Sequence, residues 1–186
     1  MFVKEVLAVA AATAGRSDLA TEIEKESPDV DAEILRLVRC YNLVENEIAL
    51  DYFPLKHEET VTALDGIIPY SQLEFAPVTV FTVTGIGGDP LNFETRPAHI
   101  LLSGMKGQRQ MILSYSYSPK EKLITEDASF GEKISARLLA FGVACEFCLS
   151  NGQYAEAATW EKKYREALRA ANVSRRRLSV RSRRWV

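Results

Sequence analysis

The spacing of apolar residues changes period twice along this chain, which restricts the folds open to it. Val30, Ile34, Leu37, Val38, Tyr41, Val44, Ile48 and Tyr52 recur at three- and four-residue steps, the signature of one continuous apolar helical stripe. Glu33, Arg36, Arg39, Asn42, Glu45 and Glu47 fall mostly on the opposite side. Ser27-Pro28 offers a suitable start, because proline is tolerated in a first helical turn, and Pro54 ends the run. Further on, Met111, Leu113, Tyr115 and Tyr117 alternate with Gln110, Ser114 and Ser116, the two-residue period of a strand with one packed face. Past Glu132 the helical spacing returns. A chain that is helical, then extended, then helical again belongs to the α+β class.

The shorter pieces fit the same order. Val3 to Ala14 reads as an alanine-rich helix stopped by Gly15, and Ser17-Asp18 opens a second helical piece from Leu19 to Lys25. Thr60-Val61-Thr62, Ile67-Ile68, Val78 to Thr84 and Leu91-Asn92-Phe93 are extended, with turn chemistry at Gly85-Ile86-Gly87-Gly88-Asp89-Pro90 and at Gly104 and Gly107. Ile134, Leu138, Phe141, Cys145 and Cys148 form one helical face that stops at Asn151-Gly152. Tyr154, Ala157, Trp160, Tyr164 and Leu168 form the facing stripe of the next helix, to about Ala171. So short a connection makes the two antiparallel neighbours. The expected architecture is one α+β domain over residues 1–172. It is a helical bundle with N-terminal helices over 3–54 and a helical hairpin over 132–171, carrying a small antiparallel β insert at 59–118. An extended arm follows over 173–186.

That arm breaks the charge balance. The 186-residue chain carries a net charge of −2, yet Arg175, Arg176, Arg177, Arg181, Arg183 and Arg184 crowd its end with no acidic residue among them. Removing those six positive charges from −2 leaves a body of about −8. Such a body repels nucleic acid over its general surface, while the arm suits phosphates or an acidic protein surface. Leu178, Val180, Trp185 and Val186 lie among the arginines, a mixture suited to docking, in which guanidinium groups pair with anions and apolar side chains fill pockets. The apolar runs, Val6 to Ala12 among them, are too short to cross a bilayer. The first residues, Met1 to Glu5, lack a basic leader, so a cytoplasmic origin is expected. An odd count of three cysteines, Cys40, Cys145 and Cys148, agrees with that compartment.

Candidate chemistry is sparse. His57 and His99 sit in no catalytic context, and both are expected in loops, His57 after the long helix and His99 near a strand. Cys145-Glu146-Phe147-Cys148 is a C-x-x-C, but inside a helix it lacks the N-terminal dipole that stabilises a redox thiolate, and no second pair completes a zinc site. The glycines at 85–88 lead to another extended stretch and not to a helix N-terminus, so they do not form a phosphate cradle. No enzymatic activity, metal or cofactor is expected. The aromatic stripe Tyr154, Trp160 and Tyr164 reads as packing.

The order of parts, with Gly142 to Leu149, Trp160 to Leu168 and the ending Arg183-Arg184-Trp185-Val186, resembles the head–tail connector (adaptor) proteins of tailed bacteriophages and prophages. The resemblance implies a virion protein made in the bacterial cytoplasm and placed in the neck. It implies a homo-oligomeric ring, usually of twelve subunits, beneath the portal protein and against the next neck or tail component, with DNA passing through unbound and no membrane involved. It also implies that the C-terminal arm grips the portal, which assigns that task to Arg175, Arg176, Arg177, Leu178, Arg181, Arg183, Arg184 and Trp185. The alternative is a nucleic-acid-binding module that uses the same arm on phosphates.

Overall fold

The computed structural model describes residues 1–26, 28–131 and 134–175, with side chains up to 172. The chain divides into two compact units, one formed by Met1–Glu45 with the chain from Glu121 onward, the other by Asn46–Lys120.

The first unit is helical. Helix α1 (Val3–Thr13) buries Val3, Val6, Leu7, Ala10 and Ala11. It packs on α2 (Ser17–Glu24) and on α4 (Ala136–Ser150), which in turn packs on α5 (Tyr154–Arg175). Helix α3 (Ala32–Glu47) buries Ile34, Leu37, Val38, Tyr41 and Val44 as its periodicity requires. Its start differs from expectation. Ser27 lies outside the described residues, and the N-terminal cap is Asp31, whose Oδ1 accepts from the Glu33 and Ile34 amides at 2.9 and 2.8 Å. Val30 therefore precedes the helix and is 40% exposed. Ser135 caps α4 in the same way, accepting from Leu138 N–H at 3.2 Å. Gly142 on α4 leaves space for its neighbours. A Cβ there would come within 2.7 Å of a Val44 methyl on α3 and 3.0 Å of the Tyr164 ring on α5.

One polar bracket ties α2 to α3. The Arg16 guanidinium donates to Asp18 at 3.0 and 2.7 Å and to both oxygens of Glu33 at 2.8 and 2.7 Å. Hydrogen bonding from Arg16 draws the Asp18 carboxyl down from 3.8 to about 2, and it lowers Glu33 as well. Because the folded values lie below the unfolded ones, this stabilisation is present above the ordinary carboxylate range and is lost as pH falls toward 2. An Arg16→Gln variant is expected to unfold less steeply with acid than the parent, measured by far-ultraviolet circular dichroism between pH 5 and 2. Equal slopes would rule the bracket out as an acid-sensitive element.

The second unit is a sheet, and here the expected architecture is corrected. Six strands, β1 (Leu55–Leu64), β2 (Ile67–Pro69), β3 (Pro77–Gly85), β4 (Phe93–Thr95), β5 (His99–Leu102) and β6 (Gln108–Tyr117), pair antiparallel in the order β3-β6-β1-β2-β5-β4. Thr84 on one edge strand bridges to Pro90, and Leu91 N–H donates to Val83 C=O at 2.9 Å, just ahead of the opposite edge strand. The sheet thus curls into a nearly closed, barrel-like form. It is a major component of an α+β protein, which has five α-helices among the described residues, and not a small element inserted in a helical bundle. Its core is Val61, Ala63, Ile68, Val83, Ile100, Leu102, Met111, Leu113 and Tyr115. The sequence understates this sheet because β1, ten residues long, turns Leu55, His57, Glu59, Val61 and Ala63 to one face. Two of those five positions are polar, which conceals the two-residue period. Both histidines follow: His57 lies within β1 and His99 opens β5, so neither belongs to a loop.

The chain enters this unit through a π-helical turn, Ile48–Tyr52, which Phe53 closes by donating to Ile48 C=O at 2.7 Å before Pro54. No helix among the described residues is long and apolar enough to cross a membrane.

Candidate functional site

A cluster of polar and aromatic side chains forms around His57 in the sheet unit. Register places His57 opposite Tyr115 and Leu55 opposite Tyr117, and the segment before β3 brings Glu74 and Phe75 alongside. His57 Nε2 lies 3.1 Å from Glu74 Oε2. Its ring meets Phe75, Tyr115 and Tyr117 edge-on at 5.1, 5.8 and 6.3 Å, and Phe75 stacks on Tyr117 at 4.2 Å. One oxygen of Glu59 accepts from the Tyr115 hydroxyl at 2.5 Å and from the Glu74 amide at 3.1 Å. The Tyr115 hydroxyl in turn accepts from the Phe75 amide at 3.3 Å.

The chemistry of this arrangement is that of a fastener. Burial and the Glu59 carboxylate push the Tyr115 phenol well above its ordinary value, so it serves as a hydrogen-bond donor and not as a proton-transfer group near neutrality. The Glu74 amide on Glu59 and the Phe75 amide on Tyr115 pin the stretch before β3 onto β1 and β6. A groove of about 560 Å³ lies between the unpaired stretches of β3 and β4, lined by Val78, Val80 and Phe93, with Arg96 as its charged group. That arginine is already paired with the Glu94 carboxylate at 2.8 Å, and the lining adds no histidine or thiol beside it.

In the helical unit, Cys145 and Cys148 pack with Ala157 between α4 and α5. Burial, then the Glu156 charge, raises the Cys148 thiol, and burial pushes Cys40 up to about 11, so these two sulfurs are held away from the reactive thiolate form. The described residues contain no group of three or more His, Cys, Asp or Glu placed to hold a metal ion. Of the aromatic stripe, Tyr164 is buried and Trp160 half-buried, whereas Tyr154 is 72% exposed and lies off the packed face.

The residues assigned to docking divide at the end of α5. That helix continues past Ala171 as far as Arg175, the last described residue and the first of the six arginines. Arg176, Arg177, Leu178, Arg181, Arg183, Arg184 and Trp185 lie outside the described residues, as does Glu132, where the hairpin was expected to begin. Sequence reasoning missed the His57–Glu59–Glu74–Tyr115 cluster. Its signal was a histidine and a glutamate two residues apart, the spacing that puts both on one face of a strand. No protein-family model matches this chain, and no curated protein matches it.

Proposed function

We propose that this chain is a non-enzymatic assembly subunit of a tailed phage or prophage particle. In this reading it is a head–tail connector that forms a ring beneath the portal and docks through its C-terminal arm. The observation that carries the reading is the charge division: six arginines from Arg175 to Arg184 follow a body of about −8. An acidic wall lets DNA pass without trapping it, and arginines among Leu178, Val180 and Trp185 suit an acidic, pocketed protein surface. Support comes also from the order of parts, in which helices, an extended block and a helical hairpin lead into the arm.

The test is a truncation. Deleting residues 176–186 spares the described helix Tyr154–Arg175 and is expected to leave the melting temperature unchanged while abolishing co-purification with a portal protein of the same particle. Retained portal binding would refute the reading. Duplex DNA separates the rival. If the six arginines bound phosphates, retention in a gel shift would fall about a thousandfold between 50 and 200 mM salt. A connector arm shows no such DNA retention at either salt concentration.

A further inference from the structure

The helical hairpin carries a positively charged aromatic surface. Phe141 of α4 and Trp160 of α5 stack with centroids 5.9 Å apart and planes 17° from parallel. Two cations converge on the Phe141 ring, the Arg137 guanidinium at 5.3 Å from its centroid and Lys163 Nζ at 6.0 Å. The same ammonium lies over the Trp160 ring at 4.2 Å. Helical spacing produces this convergence. Arg137 and Phe141 stand four apart on α4, and Trp160 and Lys163 three apart on α5, so each ring shares a helix face with its cation. Gly142, which leaves space for the Tyr164 ring, keeps the two helices close enough for those faces to merge.

The charge of this surface is not neutralised. Both cations are exposed and both rings half-buried, and among the described residues neither cation has a carboxylate at ion-pair distance. Glu161, beside Trp160 in sequence, is engaged by Arg165. The two charges are separated by at most the sum of their distances to the Phe141 ring, about 11 Å, close to the Debye length of about 10 Å at 0.1 M salt, so each feels the other. Two like charges gathered about one ring without a counter-charge call for an anionic occupant.

The rings select among anions. Trp160 packs against the cluster of Cys145, Cys148 and Ala157, stacks on Phe141 and carries Lys163, so its faces are taken and a nucleobase finds no ring to stack on. A body of about −8 further opposes a polyanion such as nucleic acid. A peptide fits better. Carboxylates two residues apart on an extended segment stand about 7 Å from one another, within the span of the two cations, and apolar side chains beside them meet the half-buried rings. We infer that the Arg137–Phe141–Trp160–Lys163 surface docks a short acidic segment of another protein. Its carboxylates pair with the two cations and its apolar side chains lie on the rings. The hairpin makes this contact and the arm does not, so the inference goes beyond the connector reading and stands apart from it.

The test uses the full chain carrying W185F, which leaves Trp160 as the only indole and makes its fluorescence a local reporter. The probe is a ten-residue peptide alternating glutamate with leucine, added in low-salt buffer. A saturable change in Trp160 emission is expected, half-complete below about 1 mM peptide. R137Q/K163Q, confined to exposed side chains, should weaken it at least about tenfold, and thermal melts confirm that this variant is folded. Glutamine at all six arginines from Arg175 to Arg184 should leave it unchanged. The same peptide with glutamine in place of glutamate should give no response. The inference is overturned by a parent chain that shows no saturable change up to about 5 mM peptide. It is overturned equally by a folded R137Q/K163Q chain that responds like the parent, by a response that vanishes with the arginines of the arm, or by an equal response to the glutamine peptide. A twelve-nucleotide oligothymidylate that binds at Trp160 more tightly than the acidic peptide would overturn it too, giving the surface to nucleic acid. Portal capture is read separately by the truncation, so the failure of either reading leaves the other standing.

Discussion

Alanine at position 66 is expected to cost the sheet unit about 3 kcal/mol and to lower its melting temperature by about 10 °C. Asp65 and Gly66 form the two-residue turn between β1 and β2 with φ of 49° and 79°, the left-handed pair that a tight hairpin between twisted strands demands. Asparagine and aspartate tolerate the first position, but the second is open mainly to glycine, and any other residue pays about 1 kcal/mol there. Strain is the smaller part. A Cβ on Gly66 would lie 2.5 Å from the carbonyl oxygen of Leu102, a backbone atom that cannot rotate away. Leu102 also donates its amide to Gly66 C=O at 2.7 Å, so relieving the clash pulls apart the contact that holds β5 beside β2. Gly104, with φ of 74° and nothing within 4 Å of where a Cβ would sit, separates the two effects. Gly104→Ala should show the strain alone, about 1 kcal/mol. The measurement is thermal unfolding of both variants with hydrogen exchange at the β2 and β5 amides. Equal losses would show that the close approach at Leu102 is immaterial.

That turn also shows where the sequence was legible and where it was not. Asp-Gly flanked by Leu64 and Ile67 is a strong local hairpin signal, yet the strand before it carries His57 and Glu59 on its inner face, so no apolar alternation drew attention to it. The helices read more easily. The α3 stripe from Ile34 to Val44 is buried as its spacing requires, because one period and one packed face coincide there. Its first member fails for a local reason: Asp31 caps the helix, which leaves Val30 outside it. The size of the sheet was hidden for another reason. Strands β2, β4 and β5 are three or four residues long, too short to display a period, and their pairing depends on partners distant in sequence. The cluster around His57 was illegible on the same ground, since Glu74 and Tyr115 reach it only through tertiary pairing. The arginine run was plain from composition alone, because charge needs no geometry to be counted.

The second large effect is expected at Glu45, where Glu45→Ala should destabilise the helical unit by about 4 kcal/mol. Glu45 is 1% exposed, unusual for a carboxylate. Its Oε1 accepts from the Tyr41 hydroxyl and from the Ser129 amide, both at 2.7 Å, and so joins α3 to the segment before α4. Its Oε2 has no hydrogen-bond partner among the described residues. Alanine removes the acceptor from two buried donors, each costing about 1–3 kcal/mol when left unmet, and opens a cavity besides. Glu45→Gln keeps an acceptor oxygen and nearly the same volume, so it should cost only about 1 kcal/mol. A glutamine variant as unstable as the alanine one would mean that the negative charge, and not the acceptor, holds the segment. The same contact carries a signature at high pH. Burial, and then the Glu45 carboxylate, push the Tyr41 phenol well above its ordinary value of about 10. With the folded value raised above the unfolded one, the stabilisation is complete below pH 10 and is lost as pH rises beyond it. Tyr41→Phe should therefore flatten the alkaline limb of the unfolding curve while lowering stability at neutral pH by about 1 kcal/mol. An alkaline limb unchanged in that variant would show that Tyr41 does not carry it.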